Sequence, residues 1–150
     1  MTIPAYVLRL MTQPRGHGFK LRPEERLAVH FANCCRAWTL AGHLDGVWFH
    51  IPNEIGGGHG DLSARVYMKH KHMGLIAGSP DYGFAWNTGS GFLEAKAGRN
   101  TQSDTQEDFE GWARINGCYY EVFRSVAEAA GHLKAWGILD GRATVPMEVA

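Results

Sequence analysis

The sequence predicts an α/β sandwich, a central mixed sheet flanked by helices. Three observations carry that expectation. Segments with apolar residues at helical spacing alternate with short strand-like segments, in the order helix, strand, helix, hairpin, helix, strand, helix. Helix-start signals head three of the helical segments: Pro23 before Glu24 and Glu25, Ser103 before Gln106, and Ser125 before Glu128. The chain's 150 residues, 45% apolar and 20% charged, are enough for one self-sufficient core without a disulfide or metal staple.

Residues 1–22 read as a lead-in segment of mixed character. A helix is predicted from Pro23, with Leu27, Phe31, Cys34, Cys35 and Trp38 on its apolar face and Gly42 as its stop. Val47 to Ile51 reads as a strand closed by Pro52-Asn53-Glu54, and Gly56 to Gly60 as a loop. No Gly-Lys-Ser/Thr follows that loop, so it is not a phosphate cradle of the familiar kind. A helix over 61–73 puts Arg65, Lys69 and His72 on one face and stops at Gly74. Strands over 82–86 and 91–96, joined by Asn87 to Ser90, read as a hairpin. Ser103 opens a helix with Phe109, Trp112 and Ile115 as its stripe, ended by Gly117. A strand over 118–124 and a helix from Ser125 to about Trp136 complete the predicted domain, 23–139. Residues 140–150 read as a tail with little signal.

Fifteen Lys and Arg balance fifteen Asp and Glu, which excludes a strongly basic coat for nucleic acid. The zero is a cancellation. Residues 1–80 carry nine bases and five acids, and residues 81–150 carry six and ten. No apolar run reaches the roughly 18 residues of a membrane span, and the N-terminus lacks a secretion-signal pattern. Cys34, Cys35 and Cys118 form neither a disulfide framework nor a zinc pair. Cys34 and Cys35 read as core residues. The expectation is a soluble, cytoplasmic protein. His59, His70 and His72 invite a metal reading, but two residues on a helix point apart, so they read instead as exposed or phosphate-facing.

The chemistry concentrates at Asp81, Glu94 and Lys96. Strand alternation puts Glu94 and Lys96 on one face and Ala95 on the other. A hairpin centred on Thr88 and Gly89 sets Asp81 opposite Lys96 and diagonal to Glu94. Two carboxylates and an ammonium group at one strand end suit a hard divalent cation with room for water and phosphate. The competing account is a surface salt bridge of little energetic weight.

The ordered set of motifs resembles the VRR-NUC branch of the PD-(D/E)xK nucleases over about residues 24–139. The matching pieces are Glu24 at the head of a helix, His50-Ile51-Pro52-Asn53-Glu54, Gly78-Ser79-Pro80-Asp81, Glu94-Ala95-Lys96, Ser103 to Gln106, and the stretches 117–122 and 125–128. The resemblance implies a restriction-endonuclease-like α/β core that cleaves DNA phosphodiesters with Mg²⁺ or Mn²⁺. It implies Asp81, Glu94, Glu24 and the Ala95 carbonyl as metal ligands, and Lys96 as the group that assists the nucleophilic water. Gln106 would orient water, substrate or Lys96, though it also fits a helix cap. Glu25 competes with Glu24 for the approach to the metal, and Glu54 is a second-tier candidate. Arg65, Lys69, Lys71 and His72 are the candidate DNA phosphate contacts, with a plain solvated face as the alternative.

Short members of this family resemble Holliday-junction resolvases, so branched DNA and a homodimer with one site per strand are the implied partners. A bacterial or phage-like setting and a role in DNA repair go with that expectation. Two other functions compete. One is a non-catalytic nucleic-acid-binding module that has kept the fold; intact Asp81, Glu94 and Lys96 speak against it. The other is a plain interaction domain, in which the three side chains diverge. Neutral composition is compatible with the nuclease, because bound metal would offset the acids at the site and binding would be modest and salt-sensitive.

Overall fold

Nine regular elements follow one another in the computed structural model, which describes residues 3–13, 18, 20–52 and 61–148, for 61–63 the backbone alone. They are α1 (Ala5–Thr12), α2 (Pro23–Leu40), β1 (Val47–His50), α3 (Asp61–His72), β2 (Tyr82–Trp86), β3 (Gly89–Ala95), α4 (Asp104–Ile115), β4 (Tyr119–Phe123) and α5 (Val126–Ala135). The sheet runs in the order β1-β2-β3-β4. β1 and β2 pair antiparallel, as do β2 and β3, while β3 and β4 are parallel. The parallel pair needs a crossover, and α4 supplies it. The protein is thus α/β, with a four-stranded mixed sheet flanked by helices. No helix among the described residues is long and apolar enough to cross a membrane.

The two sheet faces bury different residues because β3 alternates. Leu93 and Ala95 join Tyr82, Phe84 and Phe123 under α2 and α5, with Phe31 at the centre of the cluster. The Phe31 ring sits 4.9 Å from Tyr82 and 4.8 Å from Phe123. Phe92 and Tyr120 face the other way and meet Phe109 of α4, the nearer contact being Phe92 at 5.4 Å. Cys34 and Cys35 lie fully buried in α2, as expected of core residues.

Four features depart from the sequence expectation. The first is α1, within the segment read as a lead-in. Its Leu10 enters the core, and its Tyr6 hydroxyl donates to the Trp48 carbonyl at 2.9 Å. The second is the segment after Asp140. Ala143 is buried, the Trp38 indole donates to the Thr144 carbonyl, and Lys134 reaches the Ala143 carbonyl. Main-chain carbonyls make these contacts, so side-chain identity carries no sign of them.

The third concerns α4. Phe109 is half-buried and Ala113 buried, but Trp112 is 68% and Ile115 76% exposed. Each three-residue step along a helix turns the side chain back by about 60°, so a 109-112-115 stripe walks off the sheet. The packed row is Gln106, Phe109 and Ala113. The fourth is the hairpin. Its loop is Asn87 and Thr88 alone, so β3 begins at Gly89. Tyr82 pairs with Leu93 where the predicted register placed residue 95. A slip of two residues preserves the face on which each side chain stands, because the side-chain period of a strand is two.

Candidate active site

The register just described brings the expected residues together. Continuing the β2–β3 ladder by one residue sets Asp81 opposite Glu94. Asp81 is held from both neighbouring strands. Its Oδ2 accepts the Ala95 N–H at 2.8 Å, and its carbonyl accepts the Ile51 N–H at 2.8 Å. His50 Nδ1 lies 2.9 Å from the same carbonyl. A carbonyl only accepts, so Nδ1 carries the proton in this arrangement.

Glu94 and Lys96 stand on the face opposite Ala95 and are 2% and 8% exposed. Lys96 Nζ lies 2.9 Å from Glu94 Oε1. Gln106 Nε2 donates to the same oxygen, while Gln106 Oε1 accepts the Ser103 N–H at 2.9 Å. The capping box and the site contact therefore coexist in one side chain. Gln106 acts on Glu94, where the sequence expectation had it on water, substrate or Lys96. Glu94 Oε2 is buried with no hydrogen-bond partner among the described residues.

An orphaned buried carboxylate oxygen is costly unless it is protonated or bound to a cation. Burial, then the Asp81 charge, push the Glu94 carboxyl up to about 7, against the opposing pull of Lys96 and of the nearby Asp81 backbone N–H. Burial likewise raises the Asp81 carboxyl, although the Ala95 amide, His50 and Lys96 pull it down.

The approach to Asp81 is fixed by Gly78. It adopts φ +84°, and a Cβ there would overlap the Thr105 carbonyl at the head of α4. Ser79 then closes a turn, its hydroxyl donating to the Ile76 carbonyl at 2.7 Å. The Gly-Ser-Pro-Asp stretch is thus pressed against the helix that carries Gln106. The substitution Gly78→Ala is expected to cost about 1–3 kcal/mol in urea denaturation, from the left-handed backbone and the overlap together.

Glu24 and Glu25 divide their roles. Glu25 accepts from the Arg22 backbone N–H at 2.6 Å and from its guanidinium at 2.9 Å, closing the cap of α2. Glu24 reaches across to the segment after β3, where Oε1 accepts from Asn100 Nδ2 at 2.9 Å and from the Ala97 N–H at 3.3 Å. Burial alone would raise the Glu24 carboxyl. The bonds from Asn100 and Ala97, with the charges of Lys96 and Arg22, outweigh it and hold the group below its ordinary value. Glu24, Asp81, Glu94, Lys96 and His50 all line an open cleft of about 1310 Å³.

The oxygen donors suit a hard divalent cation: two carboxylates from paired strands, one with a buried oxygen lacking a partner, and a third carboxylate at the cleft wall. Among the described residues, however, no group of three or more His, Cys, Asp or Glu side chains is arranged to hold a metal ion. The pair Asp81 and Glu94 is the candidate core of such a site.

The candidate DNA contacts are placed differently. Arg65, Lys69, Lys71 and His72 are exposed on α3, and Lys71 Nζ lies 5.3 Å from the centre of the Tyr67 ring. No hydrogen bond or ion pair among the described residues joins them to the carboxylates. His70, half-buried, and exposed His72 join no metal-binding cluster there either. Glu54, His59 and the loop from Gly56 to Gly60 lie outside the described residues. The sequence alone assigns no role to His50, Asn100 or Arg124. The signals available were the position of His50 at a strand end and the turn-forming Gly98-Arg99-Asn100, and neither specifies a partner.

Comparison of the chain with protein-family models, with characterised proteins and with solved structures returned no match. Function therefore rests on the geometry.

Proposed function

We propose that this protein is a metal-dependent DNA endonuclease of the PD-(D/E)xK type, with a restriction-endonuclease-like core. The observation that carries the reading is the convergence of Asp81 and Glu94 at one end of the β2–β3 pair, with Lys96 on Glu94 and a buried Glu94 oxygen left unpartnered. Asp81, Glu94, Glu24 and the Ala95 carbonyl are the groups that would hold Mg²⁺ or Mn²⁺. The ion would supply Lewis-acid polarisation of the phosphate and a lowered pKa for water.

The chain's own residues supply the rest. Lys96, tied to Glu94 by one N–H, has two further N–H groups to give to the attacking water or to the phosphate oxygen that gains charge. Gln106, anchored by the Ser103 amide, fixes the Glu94 carboxylate. Exposed Arg65, Lys69, Lys71 and His72 would contact phosphates along the DNA and position it without reading bases. Cutting both strands of a duplex or four-way junction calls for two sites, so the proposed working form is a homodimer acting on branched DNA.

The test is cleavage of end-labelled four-way junction, flap, nicked and linear DNA in Mg²⁺, in Mn²⁺ and in EDTA. Metal-dependent cleavage, strongest on a branched substrate, is the expected result. DNA binding with no cleavage in either metal would replace this reading with that of a non-catalytic binding module.

A further inference from the structure

We infer that Asn100 is a positioning residue for Glu24, presenting one oxygen of that carboxylate to the metal, an inference that rests on the nuclease reading above. Glu24 stands in the first turn of α2, where a carboxylate ordinarily serves its own helix end. Its neighbour Glu25 does that here. Glu24 instead crosses to the segment 97–100, and both hydrogen bonds it accepts fall on Oε1. Among the described residues Oε2 accepts none, and Glu24 lines the cleft that holds Asp81 and Glu94.

The donor side is built to stay put. The Asn100 N–H closes a turn onto the Ala97 carbonyl at 3.1 Å, with Gly98 at φ +54° inside it. The Arg124 guanidinium grips that turn from behind, donating from Nη1 to the Gly98 carbonyl at 2.9 Å and to the Asn100 carbonyl at 2.8 Å. Arg124 directly follows β4, and its own N–H is bound by Glu128 Oε2 at 2.7 Å. The turn's carbonyls thus face Arg124, while the Ala97 amide and the Asn100 side chain face Glu24. A ligand partner held this way commonly governs how well the metal binds.

The experiment compares the full-length wild type with Asn100→Leu, similar in size without the donor, and Asn100→Gln, which keeps it. Mn²⁺ affinity of the protein alone is read from the electron paramagnetic resonance signal of free Mn²⁺. Cleavage is followed across a Mn²⁺ titration. Asn100→Leu is expected to weaken Mn²⁺ binding roughly 10-fold, with cleavage restored by excess Mn²⁺ and the KM for DNA unchanged. Asn100→Gln is expected to recover part of the affinity. Should Asn100→Leu not fold, Asn100→Ala provides the same comparison.

A variant that binds Mn²⁺ as the wild type does, while both cleave, overturns the inference and leaves the nuclease standing. A lowered melting temperature with unchanged Mn²⁺ affinity also overturns it, since that is the mark of a purely structural contact. A wild type that neither binds Mn²⁺ nor cleaves overturns the nuclease reading, and this inference with it.

Discussion

Protein carrying Asp81→Asn or Lys96→Met is expected to bind DNA as the wild type does and to cleave it at least about a thousand-fold more slowly. The two substitutions are chosen to leave the fold intact. Asn at 81 keeps an oxygen for the Ala95 N–H that now reaches Asp81 Oδ2 at 2.8 Å, so the β2–β3 junction survives while the negative charge is lost. Met at 96 retains the packing of a stem that is almost fully buried and removes only the ammonium group. Asp81→Asn therefore acts on charge at the site, while Lys96→Met also takes the ionic partner from buried Glu94, so its melting temperature is measured alongside. Single-turnover cleavage in Mn²⁺ and a parallel binding titration in EDTA separate the two effects. Undiminished cleavage by either variant would remove that residue from the mechanism.

The metal-free protein is expected to lose stability as pH rises from about 5 to 8. The sign follows from Glu94, whose carboxyl is pushed up to about 7 in the folded protein from an ordinary value of 4.5. Between those values the folded state holds a proton that the unfolded chain has released. Stability is then fully present below 4.5 and is lost as pH climbs through 7. Asp81, raised by the same burial, acts in the same direction. The Glu94 shift alone corresponds to a loss of about 3 kcal/mol, and Asp81 adds to it. Urea denaturation in EDTA across this range measures it, with Glu94→Gln as the variant whose pH dependence is flatter. Mn²⁺ is expected to reverse the trend near pH 8, since a bound cation favours the ionised carboxylates. A stability that rises across the window, equally in wild type and variant, would contradict this account of the buried carboxyl.

Local signals placed most of the framework. Pro23, Ser103 and Ser125 stand at or beside the helix starts they predict, and Gly42, Gly74 and Gly117 lie just past helix ends with positive φ. The pairing of Glu94 with Lys96 follows from strand alternation, which no register error of two residues can upset. The hairpin register was two residues off because Gly89 and Ser90 look like turn residues yet serve β3. A Cβ at Gly89 would crowd the Trp86 ring, so this glycine answers to packing across the hairpin. The exposure of Trp112 and Ile115 is legible in their spacing, because repeated steps of three carry a side chain off the buried face, and the row that packs is Gln106, Phe109 and Ala113. α1 has a legible apolar face, anchored by the Leu10 side chain and the Tyr6 hydroxyl, but it spans only eight residues. The Ala143 segment is held largely through its own main-chain carbonyls, which leave no periodic signature. The site shows the same division. Its charged residues stand out as motif letters, whereas the contacts of His50, Asn100 and Arg124 are to main-chain carbonyls or to distant side chains.

The bond from Asn100 to Glu24 joins residues 76 positions apart, and the turn that carries Asn100 is gripped from the end of β4. Contacts of such long sequence separation form late, because closing the intervening chain must come first. A polypeptide emerging from the ribosome would have the contacts of Asp81, Glu94, Lys96 and Gln106 within reach once residue 106 is out, while the support of the Asn100 turn needs Arg124 as well. Synthesis thus delivers the Asp81–Glu94 pair before the clamp that steadies Glu24's partner.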